Sequence, residues 1–309
     1  MPATTLCGMQ GRPAAEPAVL VALPGEEQRA ARIARALPRA SVAALHLRRF
    51  PDGETYVRFD SPVAGRPVVL VCSLHQADEK LVPLLLVAAT ARDLGAASVT
   101  LLAPYLGYMR QDARFHAGEG ITSLYVGRLL SAAVDRLVTV DPHLHRHERL
   151  DDVYSVPCDV LSAAPDLGAW VRANVPGAFL VGPDAESAQW VHAAAGVGAP
   201  DPLPHVVFEK TRHGYHDVVI EVPDLAPYAG LVPVLVDDVV STGRTMIEAA
   251  RHLADAGFPP PVCAAVHGVF ADGAETALAA AGLSTLVTCD TVPHATNRIA
   301  TSALLARAL

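Results

Sequence analysis

Ten short apolar runs punctuate the chain: AVLVAL (18–23), PVVLV (67–71), SVTLLA (98–103), RLVTV (136–140), AFLVG (178–182), HVVF (205–208), DVVIEV (217–222), PVLV (233–236), PVCAAVHGVF (261–270) and STLVTC (284–289). A strand with one face in water alternates apolar and polar residues. Runs this apolar must instead be covered on both faces. Between many of them lie segments with apolar residues three and four apart, such as EEQRAARIARAL and TMIEAARHLADAG, the latter stopped by Gly257. Buried strands joined by such helices predict an α/β fold of mainly parallel sheets flanked by helices.

The length, 309 residues, suits one large or two ordinary domains. A loose internal echo favours two similar halves. ARDLGAASVTLLAP (91–104) and ARHLADAGFPPPVCAAV (250–266) each run from a helix end through a glycine to a buried strand. The Pro- and Ala-rich stretch 157–176 is the expected boundary. The organisation predicted is a flexible N-terminus (1–16), a first domain (17–160) and a second (161–295). An apolar helix candidate over 296–309 is expected to pack back onto the first domain.

The formal charge is −8, so no basic field advertises nucleic acid or an anionic membrane as partner. Any phosphate bound here must be held locally. Five scattered cysteines without a C-x-x-C pair exclude a zinc ribbon or redox motif and read as small buried hydrophobes. The first residues lack the basic and apolar regions of a signal peptide. The longest apolar stretch, near Leu81 to Ala91, falls short of the roughly 20 residues that span a bilayer. A cytoplasmic location is expected.

LVDDVVSTGRT (235–245) sets two carboxylates beside a run suited to an anion. With Val234 to Val236 as strand and Thr245 onward as helix, Ser241, Thr242, Gly243, Arg244 and Thr245 form a phosphate cradle at a helix N-terminus. Asp237 and Asp238 would repel that phosphate if they faced it. They make sense one step away, accepting hydrogen bonds from sugar hydroxyls, directly or through a metal. A lone Asp there would be an ordinary helix cap, but two acids after an apolar strand and before S-T-G-x-T are much less common. The loop alone indicates a phosphorylated ribose.

This stretch resembles the phosphoribosyl-diphosphate loop of the type I phosphoribosyltransferase fold. That loop is shared by phosphoribosyltransferases, which consume the diphosphate, and ribose-phosphate diphosphokinases, which make it. Five upstream segments resemble the diphosphokinases, in family order: RRFPDGETYVRF (48–59), APYLGYMRQDARF (103–115), TVDPH (139–143), LVGPDAES (180–187) and FEKTRHG (208–214). The resemblance implies two similar domains of that fold. It also implies Mg2+-dependent transfer of the β,γ-diphosphoryl group of ATP to the C1 hydroxyl of ribose 5-phosphate, with AMP as the other product.

Residue by residue, the resemblance gives Phe50, Asp52 and Glu54 to the purine, from a neighbouring subunit, although P-D-G is also an excellent turn. Arg110 and Gln111 fall to the nucleotide, His143 to nucleotide and metal, and Asp184 to metal. Lys210 and Arg212 are the catalytic cations, carried between two strand candidates on a hairpin that folds over the nucleotide. Asp237, Asp238, Ser241, Thr242, Gly243, Arg244 and Thr245 bind ribose 5-phosphate. A borrowed purine site requires a homodimer or higher homo-oligomer. HLHRHER also raises zinc at His143, His145 and His147, but alternate residues on extended chain point to opposite sides, so Mg2+ is favoured.

Ser241 stands where common bacterial and animal members carry a third acid, and Arg244 where a glycine is usual. The S-T-G form and the RF after RQD are closer to the archaeal-type branch, for which weak or absent allosteric control by ADP is expected. Pro233, which cannot donate to a ladder, is expected to open its strand. Two other functions share part of the pattern: a phosphoribosyltransferase using the diphosphate, and a catalytically silent subunit of an active synthetase.

Overall fold

The computed structural model describes residues 16–144, 146–213 and 217–309, with the backbone alone over 210–213 and 217–221. The first half begins with β1 (Val19–Ala22), α1 (Glu27–Ala36) and β2 (Ser41–Ala43), followed by an antiparallel hairpin of β3 (Leu45–Arg49) and β4 (Thr55–Phe59). Then come β5 (Pro67–Val71), α2 (Ala77–Asp93), β6 (Ser98–Ala103), α3 (Thr122–Ala133), β7 (Arg136–Val140) and β8 (Cys158–Leu161). The sheet order is β2-β1-β5-β6-β7-β8, parallel throughout.

After α4 (Ala164–Asn174) the pattern repeats: β9 (Ala178–Gly182), α5 (Ala188–Ala195), β10 (His205–Val207) and a second hairpin of β11 (Glu209–His213) and β12 (Asp217–Glu221). β13 (Val232–Val240), α6 (Arg244–Asp255), β14 (Val262–Gly268), α7 (Ala274–Ala280), β15 (Thr285–Cys289), β16 (Asn297–Ile299) and α8 (Ser302–Ala306) complete the chain. This sheet, β10-β9-β13-β14-β15-β16, is again parallel and has the order of the first. Each half is a type I phosphoribosyltransferase-like unit with a hairpin inserted between its second and third parallel strands.

Burial explains the apolar runs. Leu20, Val69 and Val71 of the first sheet join Leu180, Val234 and Val236 of the second in one shared core, with Ile33 of α1, Leu167 of α4, Val191 of α5 and Leu305 of α8 between them. The opposite faces have their own cores, one including Leu84 of α2 and Val126 of α3, the other Met246 and Leu253 of α6. Both faces of each sheet are therefore covered, as fully buried parallel strands require. α8 lies against α1, where Arg32 Nε donates to Ser302 Oγ at 3.0 Å, and Arg136 of β7 donates to the Ala308 carbonyl at 2.8 Å.

Four local expectations need correction. The tail 296–309 is not one helix: Asn297–Ile299 form β16 at the edge of the second sheet, and only Ser302–Ala306 are helical. DVVIEV does not enter the parallel sheet; it is the return strand of a hairpin, paired antiparallel with β11. Lys210 and Arg212, expected between two strands, lie within a strand of their own, β11; their side chains are outside the described residues. β13 does not stop at Val236: it opens at Val232, one residue before Pro233, and pairs with β14 through Asp237 as far as Val240 and Gly268. No described helix is long and apolar enough to cross a membrane.

Candidate active site

In the second sheet β9 and β13 are neighbours whose crossovers leave in opposite directions, to β10 and to β14. Crevices at such switch points are where open parallel sheets bind ligands. Asp184 follows β9 and caps a short turn, its Oδ1 accepting from the Glu186 amide at 3.1 Å. Asp237 and Asp238 stand near the end of β13, and Ser241 to Gly243 connect it to α6.

Gly243 caps α6 with φ +73°, and a Cβ there would meet Leu278 Cγ at 2.8 Å, so only glycine fits. The first turn of α6 contains no acid, which leaves its unpaired amides open to an anion. Asp237 and Val239 to Met246 wrap a cavity of about 120 Å³ that includes every residue of the expected phosphate cradle.

A second cavity, about 350 Å³, adjoins it and gathers Arg110, His143, Asp184, Glu186, Asp237, Asp238, Ser241 and Thr245. Its walls come from both halves. His143, beyond the end of β7, reaches Asp238 of β13, Nδ1 to Oδ2 at 2.8 Å. This hydrogen bond to a buried carboxylate raises the imidazole pKa above its usual value despite partial burial. Burial, with Asp238 and Asp184 nearby, pushes the Asp237 carboxyl well above the carboxylate range. Crowded carboxyls of this kind favour a cation or hydroxyl donors among them.

A third cavity, about 560 Å³, lies beside Leu74 to Glu79 and includes Tyr105, Tyr108, Arg110, Gln111 and Thr122. Tyr105 and Arg110 line both larger cavities, and Arg110 Nη1 donates to Ser241 Oγ at 3.3 Å. Asp112, the last residue of the RQD segment, is buried beneath and accepts from Arg146 at 3.0 Å, tying this loop to the one after His143.

Arg110, Gln111, His143, Asp184 and the 237–245 loop thus converge on adjoining cavities. Phe50, Asp52 and Glu54 line none of the three: they sit at the turn of the first hairpin, where Arg48 lies over both Phe50 and Tyr56 at 4.4 Å. Tyr105, Glu186 and Trp190 line the site without having been singled out in the sequence. Glu186 lay within the PDAES segment; Trp190 sat in an unremarkable helical pattern. His145 is outside the described residues. Among the described residues no three His, Cys, Asp or Glu side chains cluster to hold a metal.

A doubled type I fold with one open phosphate loop and a larger cavity on the other half defines an enzyme of phosphorylated ribose. Residues 18–133 match the N-terminal domain of ribose phosphate pyrophosphokinase, and residues 174–297 match the phosphoribosyl transferase domain. The ribose-phosphate pyrophosphokinase of Methanopyrus kandleri is 35% identical over 272 residues, 87% of this chain and 91% of that one. That of Halobacterium salinarum is 36% identical over 264 residues, 84% and 89% of the two chains. The crystal structure of phosphoribosylpyrophosphate synthetase from Mycobacterium smegmatis superposes with a TM-score of 0.78 at 26% identity, covering 94% of this chain and 97% of that one. The chain belongs to the ribose-phosphate pyrophosphokinase family.

Proposed function

We propose that the chain makes 5-phosphoribosyl 1-diphosphate by transferring the β,γ-diphosphoryl group of ATP to ribose 5-phosphate. The observation that carries this reading is the junction of the two larger cavities at Tyr105 and Arg110. Nucleotide in the 560 Å³ cavity and sugar phosphate in the other two would meet there. The Ser241 to Thr245 amides and hydroxyls hold the 5-phosphate, while Asp237 and Asp238 accept from ribose hydroxyls. The C1 hydroxyl oxygen then attacks the β-phosphorus, the bond to the α-phosphate oxygen breaks, and AMP leaves.

Positioning and charge neutralisation suffice for this chemistry. Arg110 faces the phosphates from the junction. Lys210 and Arg212, on the hairpin that follows β10, would add charge to the transition state if the hairpin folds over the nucleotide. The donor set fits Mg2+: that ion commonly takes one or two protein ligands and completes its shell with water and substrate phosphate. His143 and Asp184 would hold it, both lining the cavity of about 350 Å³. Bound Mg2+ would offset the negative charge of the polyphosphate. Because Phe50, Asp52 and Glu54 are absent from their own chain's cavities, a second copy would supply them, making the working unit at least a homodimer. Cytoplasmic nucleotide metabolism suits such an enzyme.

The test is phosphorus NMR of purified protein with ATP, Mg2+ and ribose 5-phosphate. AMP and the new diphosphate are the expected products; ADP would indicate a sugar kinase, and no turnover with any divalent metal would remove the proposal. ADP is expected to compete with ATP without allosteric effect. Sigmoidal inhibition in the presence of phosphate, unrelieved by excess ATP, would contradict that expectation.

A further inference from the structure

His143 belongs to the first half but acts on the second, and something must fix it there. The chain leaves β7 through Asp141, whose φ of +35° is unusual for any residue other than glycine. Such conformations persist only where the surroundings over-determine them. Here they do. The Asp141 amide donates to the Leu161 carbonyl at 2.8 Å. One carboxylate oxygen accepts from the Ala163 amide at 2.7 Å and the other from Trp190 Nε1 at 3.1 Å. The Asp141 carbonyl faces His267 Nε2 at 3.0 Å, and because a carbonyl can only accept, the neutral ring carries its proton on that nitrogen. His267 Nδ1 faces Thr291 Oγ1 at 2.8 Å, and Tyr105 packs edge-on against the ring with centroids 5.0 Å apart.

Trp190 is on α5 and His267 on β14, both in the second half. Two residues beyond this point, His143 meets Asp238. Asp141 is buried, and it does not line the cavity that holds Asp184, Asp237 and Asp238. We propose that Asp141, gripped by Trp190 and His267, is a positioning residue that aims His143 at Asp238, and that it is not itself a metal ligand. The inference rests on the placing of His143 in the reacting site.

A double-mutant cycle tests it. Asp141→Asn turns a side-chain amide NH2 towards a group that can only donate, and should lower kcat by about 10- to 100-fold, the scale of a small misplacement at a reacting centre. In a His143→Asn background the same change should cost less than about twofold, because its effect runs through the imidazole. If Asp141→Asn does not fold, Trp190→Phe removes one hydrogen bond while keeping a ring, and the same cycle applies. Equal losses in both backgrounds would overturn the inference, as would a half-saturating Mg2+ concentration raised more than about tenfold by Asp141→Asn alone. Full activity of His143→Asn would overturn it too, while leaving the proposed reaction standing. If the parent forms no AMP, that reaction falls, and nitrogen NMR of the His143 ring decides: a shift in Asp141→Asn supports the grip, and an unchanged signal overturns it.

Discussion

The two halves share one strand order and one hairpin insertion, yet their equivalent crevices have opposite fates. In the second half, β13 carries two acids near its end and leads to an acid-free helix start behind Gly243, and the crevice is open. In the first, β5 leads to Ser73 and to α2, which starts behind Gln76 with Asp78 and Glu79 in its first turn, so this helix start is no counterpart of the phosphate cradle. Below that loop, between the ends of β1 and β5, a buried polar group takes up the space. Glu26 accepts from the Ser73 amide at 3.2 Å and from Arg29 at 2.6 Å; Arg29 also reaches Asp290 and Thr301, and Ser73 Oγ donates to the Thr291 carbonyl at 2.6 Å. Lys80 closes the group by donating to the Ser73 carbonyl at 2.7 Å. Duplicating a fold does not duplicate a site: one copy carries the open phosphate loop, while the other lines the 560 Å³ cavity with its β5–α2 loop and ties the halves together through the buried groups beneath it.

The hairpins offer the largest contrast to break. Lys210→Ala in the second should lower kcat by about 100-fold or more, with the ribose 5-phosphate KM within about threefold, as for loss of a group acting on transition-state charge. A change in KM alone in steady-state kinetics would make Lys210 a uniform binding residue. Next come the acids that follow β1 and β9. Asp184→Asn should cut activity at least tenfold with little loss of stability, whereas Glu26→Gln should cost about 4 kcal/mol in urea unfolding by breaking a buried ion pair, with kinetic constants unchanged. Matching effects of the two substitutions would erase the distinction between the crevices.

Histidines in the two settings should respond to pH with opposite sign. Burial pushes His267 from 6.5 down to about 4, so its neutral form stabilises the fold fully above pH 6.5, and that contribution drains as pH falls towards 4. Between pH 7 and 4.5 the parent should lose up to about 3 kcal/mol more than His267→Gln in denaturant titrations. His143, raised by Asp238, contributes below pH 6.5 and loses that contribution as pH climbs through its higher folded value. The smallest effect is expected at Gln76, the counterpart of Gly243. Its φ of +51° is strained, and Gln76→Gly should raise stability by about 1 kcal/mol.

Nine of the ten apolar runs became strands of the two parallel sheets, because continuous burial leaves a mark in any sequence; the tenth, DVVIEV, became a hairpin strand. The strands that escaped notice were short or half-exposed: β3, LHLRR, carries charges into solvent, and β16 spans Asn297–Ile299 alone. The phosphate loop was legible because its residue types sit side by side. The continuation of β13 through its acids was not, since it depends on pairing with β14. Nor were Asp141, Trp190 and His267, whose contacts join residues 49 and 126 positions apart and follow only from the docking of two sheets.

Calorimetric titration of the protein with ribose 5-phosphate in the presence of Mg2+ tests the division between the halves most directly. One molecule per chain should bind, with affinity lost in Asp238→Ala and retained in Glu26→Gln. Two molecules per chain, or binding that survives Asp238→Ala and fails in Glu26→Gln, would contradict it.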